Sequence, residues 1–322
     1  MRTLVLSVVF VGFVVGLVGA QEVPPGYDAA SFARIGVGVG PLGMAGAVVA
    51  APAGPTALYW NPAGLADLKE FVAEGMYTNW LGAGIHYQYL LAAGYPPLGD
   101  PRPALRLGPT DLIFGLGWIF VVIPDIPYVD EEGRTGVFSA SSHLVLGGVG
   151  LSLPRWPGLT LGATAKLYHD RILEGQSLGV GVDLGLRWRG TLLGFPVALG
   201  LATTDVGDTP VRWYGTLGEP VNYVPWLVRV GLAAWAWEER VVLSASFEWG
   251  LRRPRFERLR LGLQVSLAWA SLRAGYDWLL AEPQGQWRVG LGVRPLEWMS
   301  VDYAFVPAAL GESHLLAFQV RF

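Results

Sequence analysis

Few side chains in this sequence are spaced for chemistry. The four histidines, His86, His143, His169 and His314, show no metal-ligand spacing such as His-x-x-x-His. Ser141 and Ser142 directly precede His143, which raises the idea of a serine hydrolase. Neighbours on one strand do not form a triad, because the base must reach the nucleophile and be oriented by a third group. Gly36-Val-Gly-Val-Gly40 has no preceding strand and no following Lys, so it is not a phosphate loop. Asp130-Glu-Glu-Gly133 has the composition of a Ca²⁺ loop but reads better as a solvated turn. Cysteine is absent, which removes thiol catalysis and Cys-based metal sites. No catalytic residue, metal or cofactor is expected, and the chain reads as a non-enzyme.

The charges that remain lie on strand-like segments, on the face opposite the apolar one. They are Lys166, Asp183, Arg187, Arg189, Glu248, Arg258, Arg260, Arg273, Asp277, Arg288, Arg294, Asp302 and Arg321. Arg dominates. One reading is an electropositive lumen that attracts carboxylates, as charged rings do in pores. The other is a lumen sealed by ion pairs, and the mixed signs favour it. Some of these Arg could instead meet anionic lipid headgroups.

The elements that must position them are strands. The final run, His314 to Phe322, alternates without a break: Leu316, Phe318, Val320 and Phe322 on one face, Leu315, Ala317, Gln319 and Arg321 on the other. Leu178, Val180, Val182, Leu184, Leu186 and Trp188 alternate likewise with Ser177, Gly179, Gly181, Asp183, Gly185, Arg187 and Arg189. Strand-like segments are expected near 70–80, 85–95, 111–123, 137–153, 159–170, 177–189, 195–205, 225–237, 240–250, 257–269, 271–281, 286–294, 297–306 and 313–322. That makes fourteen, an even number, as single-chain bacterial barrels have.

Composition supports a membrane setting. Charged residues are 15% and hydrophobic residues 52%, with mean hydropathy +0.39. A soluble domain carries about a quarter charged residues. After the first twenty residues no stretch approaches a spanning helix. A barrel needs apolar residues only at alternate positions, and only helices and closed barrels satisfy the backbone in lipid. The fourteen Trp and twelve Tyr exceed what cores need. Trp188, Trp249, Trp269, Trp278, Trp287 and Trp298 fall at strand ends, as interfacial girdles require. Net charge is −3 with no basic block, so nucleic acid is not an expected partner.

Residues 1–20 read as a signal peptide: Arg2, an apolar run from Leu4 to Val18, and Val18-Gly-Ala20 as the cleavage site. Residues 21–66 are small, Gly- and Ala-rich and without period, so they read as a compact irregular segment and not as a separate domain. Residues 67–322 are the barrel. The longer connections, 124–136 and 206–224, are assigned to the outer side; the Pro-rich 96–110 falls on the periplasmic side, against the rule.

Gly43-Met-Ala-Gly-Ala47 followed by Tyr59-Trp-Asn-Pro-Ala-Gly-Leu65 resembles the N-terminal signature of the FadL-like outer-membrane proteins, nearest the PorV/PorQ branch. Trp80 to Tyr89 resembles that branch's first hairpin. Ser300 to Pro307, Leu310 to His314 and Arg321-Phe322 resemble its last. The resemblance implies an all-β, up-and-down transmembrane barrel of about 14 strands in the outer membrane of a diderm bacterium, with the N-terminal segment as a plug in the lumen. It implies two functions. FadL-type members pass hydrophobic molecules such as long-chain fatty acids, by lateral exit through a gap in the wall. PorV-type members receive secreted proteins at a type IX secretion apparatus. Members often carry acids between the two plug motifs, where this chain has Ala51-Pro-Ala-Gly-Pro55. Met44, Trp60, Asn61 and Pro62 are the candidate plug and ligand residues, with anchoring of the plug the stronger reading. Partners to expect are outer-membrane lipid, a fatty acid or other hydrophobic ligand, a secreted protein, and the barrel-assembly machinery through Phe322. Of the two functions, uptake of hydrophobic or amphipathic small molecules is preferred, because the outer loops are short for a docking platform. The local hint of a wall kink is Pro124 with Pro127.

Overall fold

A computed structural model describes residues 29–95, 106–107, 110–130, 132–251, 257–280 and 285–322. Residues 1–28, with the expected signal peptide among them, and most of 96–110 lie outside them. The described chain begins with short helical turns, Ser31–Arg34, Val39–Gly43, Gly54–Thr56, Ala57–Trp60 and Pro62–Asp67. Seventeen strands follow: β1 Val72–Trp80, β2 Ile85–Gly94, β3 Arg106–Leu107, β4 Thr110–Val129, β5 Thr135–Ser152, β6 Leu159–Ile172, β7 Gly175–Leu192, β8 Phe195–Thr204, β9 Thr209–Tyr214, β10 Val221–Val224, β11 Leu227–Ala236, β12 Val241–Gly250, β13 Arg258–Ser266, β14 Ala270–Leu279, β15 Gln286–Leu296, β16 Met299–Ala308 and β17 Gly311–Arg321.

The sheet closes on itself. β1 pairs antiparallel with β17 from Val72↔Arg321 to Tyr77↔Leu316, so the first and last strands leave no free edge. β3 is a two-residue appendage of β4. β8 and β9 both lie along β7, at Leu184–Leu192 and Gln176–Gly179 respectively, and form one wall strand broken at Asp205–Asp208. β10 and β11 pair with β9 and β8 and form one wall strand broken at Pro225-Trp226. Counted this way the wall has fourteen antiparallel strands. Twelve of the expected segments coincide with wall strands to within a few residues, and the one near 195–205 covers only the first part of wall strand seven, which runs on to Tyr214. The expectation for β4 fell six residues short, and 206–224, taken for loop, is largely the β9–β10 hairpin.

The alternation sorts the two faces as the pattern predicted. Leu178, Val180, Val182, Leu184 and Leu186 of β7 are exposed on the outside, while Ser177, Asp183 and Arg187 are buried inside. The lumen is filled by residues 29–66. Their backbone lies directly on the wall, and the wall makes room with glycine. Gly150, Gly162 and Gly185 face one another across β5, β6 and β7. Gly200↔Gly231 lies beneath Val49-Ala50, and Gly262↔Gly275 beneath Met44-Ala45. A methyl group at Gly162 would strike the Pro62-Ala63 backbone. Gly162→Val is therefore expected to stop the plug from seating without breaking the ladder. Limited trypsin digestion tests this: the wild-type barrel protects Arg34, whereas the variant is cut there.

The β4–β5 hairpin rises above its neighbours. Pairing of β2 with β4 ends at His86↔Val122, and pairing of β5 with β6 ends at Ala140↔Ile172. Beyond these, Ile126–Val129 pair only with Thr135–Phe138. A bulge at Pro124-Asp125, where Asp125 has φ 53, sets off this two-stranded ribbon. The ribbon and the β9–β10 hairpin project from the end opposite the termini. That end is assigned to the outside by the rule that outer connections are the longer ones, to which the connection between β2 and β4 is the exception.

Candidate functional site

The plug is held by the residues of its second motif. Asn61 precedes Pro62 and is extended (φ −164, ψ 104), as a residue before proline prefers. Its Oδ1 accepts a hydrogen bond from the Ala63 N–H at 3.2 Å and caps the turn Pro62–Asp67. Its Nδ2 donates to the Val49 carbonyl at 2.8 Å and to the Leu186 carbonyl of the wall at 3.3 Å. One fully buried amide thus ties two stretches of plug to β7. Trp60 donates through Nε1 to the Val37 carbonyl at 2.8 Å and meets Tyr59 edge-on at 4.9 Å. The Tyr59 hydroxyl donates to the Ala33 carbonyl at 2.6 Å. Met44 is buried and ends the helical turn Val39–Gly43. All four candidate plug residues lie inside the barrel; Trp60 and Asn61 spend their polar atoms on the plug and the wall.

The wall charges are brought together as ion pairs. On one side they alternate in sign from strand to strand: Arg229 Nε to Glu248 at 2.5 Å, Arg260 to Glu248 at 3.1 Å, Arg260 to Asp277 at 3.7 Å and Arg288 to Asp277 at 2.8 Å, with Arg258 3.5 Å from Asp277. The guanidinium carbons of Arg229 and Arg260 lie 5.6 and 5.9 Å from the Trp60 ring, so this row clasps the plug by cation–π contact. Across the lumen Lys166 is buried between Asp183 at 2.8 Å and Asp205 at 2.9 Å. Nearer the periplasm, Arg187 pairs with Asp67, the last residue of the turn Pro62–Asp67 that leads from plug to wall, and Arg273 pairs with Asp302 while donating to Gln264 at 2.8 Å. Arg189 leaves the lumen to pair with Glu239 at the periplasmic turn.

Sequence reasoning missed several members. Arg229 alternates in register with Leu227, Gly231, Ala233 and Trp235, so its face was available from period alone. Asp205 was assigned to a strand end, yet it turns inward where the wall breaks. Its carboxylate accepts from Lys166, from the Tyr168 hydroxyl at 2.9 Å and from Thr209 at 2.9 Å. The lost ladder bonds are replaced by side chains: Asp183 accepts from Asp205 N at 2.9 Å, and Asp208 accepts from Trp226 N at 2.8 Å. Glu74 was also missed; it accepts from the Tyr89 hydroxyl at 2.5 Å and from Gln319 at 3.1 Å.

Space remains at both ends of the plug. At the outer end a cavity of about 540 Å³ is lined by Phe32, Ile35, Trp80, Ile85, Val121, Ile123 and Trp213, with Ser141, Ser142, Asp170, Arg171 and Asn222 among its polar groups at the rim. At the periplasmic end two cavities of about 280 and 240 Å³ share Gly40, Pro41, Ala53, Gln264 and Arg273. The outer cavity has no lining residue in common with these two; the body of the plug separates them.

No family model matches the chain. No curated protein matches it either. Solved structures do. The P. putida toluene transporter TodX is similar at 15% identity over 89% of this chain and 99% of that one, with a TM-score of 0.59. A second structure of the Pseudomonas putida transporter gives 16%, 89%, 96% and 0.57 in the same terms. The CymD monoaromatic hydrocarbon channel gives 14%, 89%, 97% and 0.50. What the likeness shows is the fold, a closed antiparallel β-barrel.

Proposed function

We propose that this barrel admits small apolar molecules through its outer cavity and passes them by displacement of contacts at the top of the plug. The observation that carries the reading is the outer cavity itself. It is ligand-sized, walled largely by apolar and aromatic side chains, fringed by a few polar groups, and closed below by a plug held through reversible hydrogen bonds and ion pairs. The structural neighbours are transporters and channels of hydrocarbons, which agrees with it.

An exit is available where wall strands seven and eight are both broken. At Asp205–Asp208 and Pro225-Trp226 the seam is closed by the Asp183 and Asp208 carboxylates in place of a full ladder. Side-chain closure can open without unzipping two strands. The Pro124-Asp125 bulge lies higher, at the base of the ribbon, and bends the rim.

The ligand-binding part of the reading has a direct test. Ile35→Asp or Ile85→Asp puts a carboxylate on the apolar wall, and the cost of desolvating it is expected to weaken binding of an aromatic hydrocarbon at least about tenfold. Quenching of Trp80 and Trp213 fluorescence on titration reports the affinity. Unchanged affinity in both variants would remove the cavity from the account.

A second reading, docking of a secreted protein, draws on the β4–β5 ribbon, whose edges are unpaired beyond Val122 and Ala140 and which exposes Val129 and Val137. Deletion of 126–137 separates the two roles: it abolishes capture of such a partner and spares hydrocarbon binding.

A further inference from the structure

All four histidines of the chain lie on the outward face near the outer rim, on β2, β5, β6 and β17. Three are coupled to an aromatic neighbour on that face: His86 Nδ1 to the Tyr77 hydroxyl at 2.8 Å, His314 Nδ1 to the Tyr303 hydroxyl at 2.7 Å, and His143 Nδ1 to Trp118 Nε1 at 3.3 Å. Rings at this height belong to the membrane boundary. At one point of the belt the grouping changes character. His143 and His169 stand directly opposite each other on β5 and β6, with ring centroids 5.9 Å apart. The next pair on this face toward the rim is Ser141↔Arg171, at the wall's upper edge, where both residues also border the outer cavity. Arg171 makes no ion pair among the described residues, and the adjacent Asp170 is turned inward onto the Ser177 hydroxyl at 2.8 Å.

We propose that His143, His169 and Arg171, with Ser141, bind the phosphate of a phosphorylated lipid in the leaflet that meets the outer rim. The donor chemistry fits. Indole N–H can only donate, so His143 accepts at Nδ1 and its neutral ring keeps a proton on Nε2. His169 donates through Nδ1 to the Ser177 carbonyl at 2.8 Å, which fixes its ring. A guanidinium without a carboxylate partner is the side chain best shaped for a phosphate. The position fits a lipid better than a free anion. Below the polar group the same face continues as Trp118, with its ring 4° from parallel to His143, and then as exposed Leu116, Val145 and Leu167, a surface for acyl chains. The other histidines lack this grouping: His314 Nε2 lies 3.5 Å from the Glu312 carboxylate, which disfavours an anion there.

Native mass spectrometry of the full barrel in nanodiscs tests the site, with a bisphosphorylated lipid A and its dephosphorylated form as probes in phosphatidylcholine. The wild type is expected to retain one phosphorylated lipid, at least about tenfold over the dephosphorylated one. His143→Ala/Arg171→Ala is expected to lose that preference while keeping the heat-modifiable mobility of a folded barrel. His86→Ala/His314→Ala is expected to keep it. Equal retention of both lipids, equal loss in the two double variants, or saturation by inorganic phosphate as tight as by the lipid would each overturn the proposal.

Discussion

Replacing Lys166 with methionine is expected to cost the barrel about 3–5 kcal/mol, the penalty for removing one partner of a buried ion pair. The ammonium is sealed between Asp183 and Asp205, with all three side chains almost wholly buried. Methionine fills the volume but leaves two carboxylates facing each other without a cation. The cost is local as well as global, because Asp205 is where wall strand seven breaks and Asp183 caps the broken backbone. The seam should loosen before the barrel unfolds. Urea unfolding in detergent micelles reads the first effect; exchange of the Val206 amide, which donates to the Val182 carbonyl at 3.0 Å, reads the second. Adding Asp183→Asn and Asp205→Asn to the lysine variant should restore most of the loss, since neutral amides need no counter-charge. Full stability of the single variant would show that the triad is not what closes the seam.

Trp60→Ala should cost a similar amount, about 3–5 kcal/mol for a large buried aromatic, but the loss falls on the plug. The indole is packed against Tyr59, lies near the guanidinium groups of Arg229 and Arg260, and is hydrogen-bonded to Val37. Its removal leaves a cavity between plug and wall and frees the arginines to pair only with Glu248 and Asp277. The wall's own ladder is untouched. The variant is therefore expected to assemble, run as a folded barrel and conduct ions across a planar bilayer, where the wild type is expected to stay closed. A silent bilayer from a folded Trp60→Ala barrel would mean that the ion-pair rows seal the lumen without the plug.

These two sites differ in how far the sequence disclosed them. The wall was legible because period two is a direct record of lipid on one side and lumen on the other; the faces of β7 and β17 could be written down residue by residue. The glycines opposite the apolar face were equally visible, but their meaning was not. Gly150, Gly162 and Gly185 become a landing strip for the plug only once cross-strand register sets them side by side. The same holds for the charges: Arg260 and Asp277 were chosen by face, whereas their pairing, and that of Lys166 with Asp205 thirty-nine positions away, belongs to register and to the break in wall strand seven. That break itself had weak punctuation. Asp205-Val-Gly-Asp208 reads as a turn, and only the continuing pairing of β9 along β7 shows it to be an interruption within one strand. Long-range closure of this kind leaves little local trace, since any polar turn satisfies the same local rules.

The central claim is that the outer cavity receives an apolar molecule and that the barrel carries it inward. The most direct measurement is uptake of a radiolabelled monoaromatic hydrocarbon by cells with an intact outer membrane whose only hydrocarbon channel is this barrel. The account predicts uptake several-fold above cells without it, falling to that background with Ile35→Asp. Uptake no faster than background, from a barrel shown to be folded in the membrane, would contradict it.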